Sequence, residues 1–589
     1  MKRKNIFVLI LLILIISLAF SYSEIMHKFN TGLRLSNEYA CKNIDCGIVP
    51  TIEEPNIMLP HLLQSSYLRA KKNQDYFEIA KFNSYFSSEA FNRLDLFSKG
   101  WAAHTDKETG LIPYRTNWGD EYKLYLPEQS AADFYPFLLL ATYFTNKSRY
   151  NETMRWADIE EKYRYETGLP AAVDLNTNQI IYKNVIVNYN INRQIFGASE
   201  MIKDGLLPLI EFFGKDNDFY HKAVTIMGNI FKNCPYTTRY GCLPSLNSEV
   251  NGEILISLSR LYLMSRNEDF LRLAEPIAQF YLFDVLPNND YLPCSDFDIN
   301  ELSCRDKTFS LGDHSGEIIP GLVEFYYAKS ISNKSQSEIY SSPIKKMLDK
   351  VAVYGLSEDG FWYHSNQDHS LSDTWGYIHN AYHLFSLSND EDFDFVNRSL
   401  NNLKNKNIKE FAFNADDIAD SIEGAIYLQY AYQNDVADDW INENIFYLFA
   451  QQKENGLIEG NYKDGNVART WILYALYKTQ GTYLIPWRND VKVGAAKNKD
   501  RLYLYLESTH PWKGVIKFDY PRSNEYFGVD YYPRINSFPE WWVVEKNSTY
   551  RIIKGQDTYF VNGHELIGNG LNMELLENDE KFVVIEKIE

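Results

Sequence analysis

The chain has 589 residues, with 78 acidic against 59 basic side chains and a formal net charge of −19. Nucleic-acid backbones are bound by a surplus of Lys and Arg, so this charge balance excludes nucleic acid as a partner. Apolar residues at 45% and aromatic residues at 15% suffice for a large core and exclude disorder for most of the chain.

Lys2, Arg3 and Lys4 precede an apolar run from Ile6 to Phe20 that only Ser17 interrupts. The run is shorter than the ~20 residues of a spanning helix, which suits a cleaved secretory signal, while its poor cleavage site suits an uncleaved anchor. In both cases the basic residues stay cytoplasmic, the rest is exported, and membrane contact is expected only through residues 1–23. Residues 24–79 are expected as a lead-in with one helix from Leu59 to Lys71. Six cysteines form near-neighbour pairs, Cys41 with Cys46, Cys234 with Cys242 and Cys294 with Cys304. In an oxidising compartment each pair is a local clip on a short loop, although the sequence leaves the connectivity open and buried free thiols are the alternative.

A short extended segment recurs seven times, starting at Gly110, Gly168, Gly241, Asp290, Gly360, Glu410 and Gly456, with spacings of 58, 73, 49, 70, 50 and 46 residues. Most copies lead into an apolar helical pattern: Ala131 to Phe144, Ala198 to Phe213, Gly252 to Met264, Gly316 to Ala328, Asp373 to Phe385, Ile418 to Tyr432 and Ala468 to Thr479. Between each of these and the next copy runs a one-sided amphipathic pattern, such as Asp218 to Asn233, Glu268 to Phe283 and Ile339 to Val353. Helices apolar all round suit an inner layer and striped ones an outer layer. The repeat of about 50 residues stacks into a solenoid or closes into a ring, and its irregular loops favour closure. From Pro486 the pattern alternates, as in Arg501 to Leu506 and Lys581 to Ile585, which predicts strands with hairpin turns at Asn562-Gly563 and Asn569-Gly570.

The expected fold is therefore mainly α, an (α/α) toroid of six or seven hairpins over residues 80–485, followed by a small C-terminal β-sandwich over 486–589. This organisation resembles the six-hairpin glycosidase superfamily, the (α/α) toroids that include glycoside hydrolases and polysaccharide lyases. The resemblance is architectural, and no catalytic motif carries residues across. It implies a carbohydrate substrate.

Glycoside hydrolysis needs one protonated and one ionised carboxyl group. The segment from Gly312 to Glu317 brings Asp313, His314 and Glu317 to the first turn of an apolar helix, where helix capping explains the same residues equally well. In the segment from Asn414 to Glu423, Asp416, Asp420 and Glu423 share one helical face, with Asp417 beside them. Such crowding raises at least one pKa, and a solvated helix start is the plainer alternative. Weaker candidates are Glu121, Glu128, Asp133, Glu249, Glu253 and Asp373. Tyr114, Trp118, Tyr125, Trp362 and Trp375 follow the same loops and suit stacking on sugar rings, or else inter-helix packing. His379 and His383 have the spacing of a helical zinc pair but lack the intervening Glu and a third ligand, so neither a metal nor another cofactor is expected.

The leading expectation is an exported or membrane-anchored hydrolase of an oligo- or polysaccharide, with acid and base drawn from Asp313 or Glu317 and from Asp416, Asp417 or Asp420. A lyase or uronate epimerase, with His314 or Tyr114 abstracting a proton, is the second. A glycan-binding envelope protein without catalysis is the third, because fold does not imply function.

Overall fold

The computed structural model describes residues 58–116, 123–183, 188–305, 309–311, 316–389, 391 and 393–588. The described residues form one compact unit, so the helical and β parts are not separate bodies. Helix α1 (Met58–Lys72) covers the lead-in helix expected at Leu59 to Lys71.

Helical hairpins follow. The outer helices are α2 (Tyr76–Ala102), α4 (Lys147–Glu160), α6 (Asp218–Lys232), α8 (268–288), α10 (Lys334–Gly355), α12 (Asp394–Asn402) and α14 (Asp435–Ala450). The inner helices are α3 (127–145), α5 (191–213), α7 (Ser248–Ser265), α9 (Ile318–Ser332), α11 (Trp375–Asn389), α13 (Ala415–Tyr432) and α15 (Asp464–Lys478). Each inner helix packs on the next, and α15 packs back on α3, so the ring closes with seven inner helices among the described residues. The toroid expected from the repeat is thus present. Its inner helices are buried nearly all round, as in α9 from Ile318 to Lys329, which is why their sequences lack a polar stripe.

At three of its seven copies the sequence repeat is a turn of one kind. Gly168, Gly360 and Gly456 have φ of 78°, 91° and 90°. In each case the glycine N–H donates to the residue three before it, whose own N–H donates to the residue after the glycine: Tyr165 with Leu169, Ser357 with Phe361, and Lys453 with Leu457. This is a type I turn with a bulge, whose left-handed position favours glycine. It reverses the chain between an outer helix and the extended run that feeds the next inner one. Two further turns are stapled hairpins: Cys234–Cys242 closes the pairing of Tyr236–Thr238 with Gly241–Leu243, and Cys294–Cys304 closes that of Phe297–Asp298 with Ser303–Cys304. Cys41 and Cys46 lie outside the described residues, as do residues 1–23. Among the described residues no helix is long and apolar enough to cross a membrane.

The C-terminal part holds two antiparallel sheets. Strands β1 (Tyr483–Ile485), β4 (Trp512–Lys517) and β7 (Leu571–Leu575) make one, in the order β7-β4-β1. Strands β2 (Val491–Asn498), β3 (Arg501–Ser508), β5 (Thr549–Lys554), β6 (Asp557–Asn562) and β8 (Asp579–Lys587) make the other, in the order β6-β5-β8-β3-β2. Leu502, Leu504, Val583 and Ile585 pack with Ile516, Leu571 and Met573 in a common core. The opposite face lies on α2, where the Asn83 amide donates to the Ala495 carbonyl at 2.7 Å and Gly494 meets the backbone of Ala80 and Ser84. After the short helix α16 (Arg522–Phe527) the chain leaves the sheets. Tyr532, Ile535, Phe538 and Trp541 there join the core of the ring.

Close approach of inner helices depends on glycine. A Cβ on Gly376 of α11 would stand 2.4 Å from the Cα of Gly424 on α13. Backbone cannot yield to it, so Gly376→Val should lower stability by about 3 kcal/mol in urea unfolding.

Outside the ring, Asp438 of α14 is buried and accepts from Lys478 of α15 at 2.8 Å and from Lys71 of α1 at 2.8 Å. Burial alone would raise its pKa, but the two ammonium groups hold it well below the usual carboxylate range. A depressed folded-state pKa contributes stability that is full above the unfolded value near 4 and is lost as pH falls below it. Asp438→Asn should therefore cost about 3 to 5 kcal/mol at pH 7 and flatten the acid limb of a stability-against-pH curve below about pH 4.

Candidate active site

Side chains from the N-terminal halves of inner helices and from the middle of α5 converge on the ring axis, where they enclose a cavity of about 30 Å3. This is room for a water molecule or two, not a sugar ring. Asp133 comes from α3, Lys203 and Asp204 from α5, Glu317 from the entry to α9, Tyr377 from α11, Asp420 from α13, and Asn466 and Arg469 from α15. Ile535 and Asn536 of the inserted segment complete the lining. Asp133 and the Lys203–Asp204 pair sit on π-helical stretches, Pro127–Phe134 and Met201–Leu206. The wider turn rotates side chains off the usual register and is frequent at functional sites.

Three clusters organise the charges. Lys203 is buried and pairs with Glu317 at 2.5 Å and Asp204 at 3.1 Å, and Asn536 donates to Asp204. Burial alone would lower the Lys203 pKa, but Asp204 and Glu317 raise it well above the ordinary value, so it is a fixed cation. Across the cavity Arg469 pairs with Glu423 at 2.6 Å and Asp420 at 3.3 Å, and the Tyr377 hydroxyl donates to Asp420 at 2.8 Å. Burial, joined by Asp416, raises Asp420 well above the ordinary aspartate value despite Arg469. Nearer the far end of the ring Arg260 pairs with Glu324 at 2.8 Å, the Tyr532 hydroxyl donates to Glu324 at 2.6 Å, and Arg534 donates to Glu211 at 2.9 Å. The inserted segment therefore plugs the end opposite the N-terminal turns. Beside Lys203, burial and then Glu253 raise Glu200 well above its usual range, while burial and Glu249 push Glu253 up to about 8.

Of the residues expected from sequence, Glu317 and Asp420 both line this cavity, although they stand 103 positions apart in the chain. Asp416 lies nearby, bound by Lys463 at 3.0 Å and Asn466 at 2.9 Å. The ammonium of Lys463 outweighs the effect of burial and lowers its pKa. Asp417 caps the start of α13 by accepting from the Phe413 N–H at 2.7 Å; burial and Asp416 push it up to about 6, and it does not line the cavity. Asp313, His314 and Trp118 lie outside the described residues. The aromatic platform expected from Tyr114, Tyr125, Trp362 and Trp375 requires correction. Tyr114 is 2% exposed and the other three 0%. Trp156 donates to the Tyr125 hydroxyl at 3.2 Å, Trp362 donates to His379 at 3.1 Å, and Trp375 packs edge-on against Phe361. The faces of Tyr125, Trp362 and Trp375 are spent on the core between helices, and Tyr114 packs in a separate apolar cluster with Leu124, Leu126 and Tyr165.

Lys203, Asp204, Tyr377, Arg469 and Asn536 were not anticipated. A trace of the first two is visible in Ile202-Lys-Asp-Gly-Leu206, and of Arg469 in Ala468-Arg-Thr-Trp471, where charge interrupts an all-apolar helix. Such a residue has to face a partner, because a lone buried charge costs several kcal/mol. Nothing near Asn536 signals insertion into a ring formed by residues far earlier in the chain.

No family model matches the sequence, and no curated protein is similar to it. Solved structures similar to it include a cellobiose 2-epimerase from Bacillus thermoamylovorans B4167, at 12% identity over 54% of this chain and 87% of that one, with a TM-score of 0.36. A sugar epimerase from a ruminal bacterium matches at 13% identity over 55% of this chain and 86% of that one, with a TM-score of 0.38. A GH127 β-L-arabinofuranosidase from Geobacillus stearothermophilus T6 matches at 12% identity over 85% of this chain and 80% of that one, with a TM-score of 0.34.

Arg469 holds two buried carboxyls from another helix, so Arg469→Met should cost about 3 to 5 kcal/mol in thermal or urea unfolding. Restoring part of that loss with the double variant Arg469→Met, Glu423→Gln would identify charge rather than packing as its cause.

Proposed function

We propose that the protein is an exported glycoside hydrolase whose acid and base are Asp420 and Glu317. The observation that carries this reading is the axial cavity, where two carboxyl groups from different helices meet in opposite surroundings on a space sized for water. Burial and acidic neighbours raise the pKa of Asp420 despite Arg469, which favours its protonated form. Glu317 is ion-paired to Lys203. That is the division of labour hydrolysis requires. The sugar sits at the N-terminal mouth. Asp420 gives its proton to the leaving glycosidic oxygen as the bond to the anomeric carbon breaks. Glu317 takes a proton from the water that adds to that carbon. The disulfides Cys234–Cys242 and Cys294–Cys304 support an oxidising compartment, and with it export.

A panel of neutral and uronate-containing glycans, followed by reducing ends and ultraviolet absorbance together, tests the reaction class. Reducing ends without absorbance are expected; an absorbing, unsaturated product would replace hydrolysis by elimination. Glu317→Gln and Asp420→Asn should each lower kcat by about 100-fold to 10,000-fold. Activity should fall as pH rises through the raised pKa of Asp420, since the acid must be protonated to work. Unchanged turnover in both variants would remove these residues from the chemistry.

A further inference from the structure

Beside the axial cavity, on α5 and α7, three glutamates stand unused by this scheme. Glu200, Glu249 and Glu253 each offer a carboxylate oxygen, and these oxygens lie within 4.8 Å of one another. Glu200 and Glu253 are buried, Glu253 completely. Neither oxygen of Glu253 receives a hydrogen bond from a donor. That is rare for a buried carboxylate, which normally accepts from several donors or pairs with a cation. Lys203 does not fill the gap, because Glu317 and Asp204 hold it at 2.5 Å and 3.1 Å. One ammonium facing Asp204, Glu317, Glu200 and Glu253 leaves the last two to be neutralised by protons or by a further cation.

We propose that Glu200, Glu249 and Glu253 bind a calcium ion that ties α5 to α7 at the N-terminal mouth of the ring. Donors that are all oxygen select a hard cation over zinc or copper. Size then separates the two common hard cations. Oxygens on opposite sides of Ca2+ stand about 4.6 to 5.2 Å apart, and around Mg2+ about 4.0 to 4.2 Å. The three oxygens, all within 4.8 Å of one another, fit inside a calcium shell, and three carboxylates at one point favour calcium over magnesium, which dehydrates reluctantly and keeps several waters. Three carboxylates supply up to six oxygens, and water completes the shell of about six to eight. Glu253, inside, provides a ligand that meets Glu200 of the same cluster but no donor group, and half-buried Glu249 opens the site toward solvent. The site stands whether or not the axial cavity hydrolyses glycans.

The full chain, stripped with a chelator and dialysed, is titrated calorimetrically with CaCl2 and, separately, with MgCl2. The expected result is one Ca2+ per chain, magnesium binding at least about 10-fold weaker, and a melting temperature that climbs with calcium concentration. Glu253→Gln should weaken calcium binding on the order of 100-fold or more. Its melting temperature in chelator should be no lower than that of the unsubstituted chain, because an uncompensated buried charge is gone. If Glu253→Gln does not fold, Glu249→Gln carries the test on the exposed side and should also weaken binding. Absence of calcium uptake by the unsubstituted chain, or uptake unaltered in the folded variants, would overturn the proposal. In that event the carboxyls are satisfied by protons they share.

Discussion

The constraint on which the rest of this structure depends is closure of the inner ring at backbone contact distance. Gly376 against Gly424, and Gly465 against the carbonyl of Asp133, leave no space for a side chain between neighbouring helices. The axis is then removed from bulk water, and every ionisable group that points inward has to be matched there. Arg260 with Glu324, Arg469 with Glu423, and Lys203 with Glu317 are three such matches, each joining two different inner helices. Buried pairs of this kind are weak evidence of net stabilisation, since desolvation offsets most of the attraction. What they enforce is register, because a helix that slipped by one turn would strand a charge in the core.

The segment after α16 extends the same logic. It brings Tyr532, Arg534 and Asn536 to Glu324, Glu211 and Asp204, so the C-terminal part supplies partners that the ring lacks. That segment is thereby a component of the ring's interior, while the sheets keep a core of their own and lie on α2. The plug also gives the ring a polarity, with the inserted segment at the end opposite the N-terminal turns. Those N-terminal turns carry partial positive charge, a favourable setting for the carboxylates gathered there.

The architecture was legible to a large degree, because its cause is local. An inner helix has to be apolar all round and an outer helix striped, and the chain has to reverse at a left-handed residue between them. Gly168, Gly360 and Gly456 reveal that reversal in the sequence. Glu317 and Asp420 could be picked out for a related reason: carboxyls crowded at the start of an apolar helix have few places to go except a cap or the mouth. Trp362 and Trp375 are ambiguous in the sequence. A flat aromatic face packs against a neighbouring helix as readily as against a sugar, and only burial tells the two apart.

The amino-acid sequence by itself therefore determined the repeating hairpin, the inner and outer faces, the change to strands near Pro486, and two of the carboxyls on the axis. These follow from periodicity and turn chemistry, which act over a few residues. Tertiary structure alone decided that the ring closes with seven inner helices among the described residues, that Glu317 and Asp420 face one cavity, and that residues 528–543 plug the opposite end. It also decided which carboxyls acquire a cation, Glu317 from Lys203 and Glu423 from Arg469, and which, like Glu253, meet another carboxyl but no donor group. The strength of a charge's environment depends on burial and on partners that sit tens to hundreds of residues away, and neither is a local property of the chain.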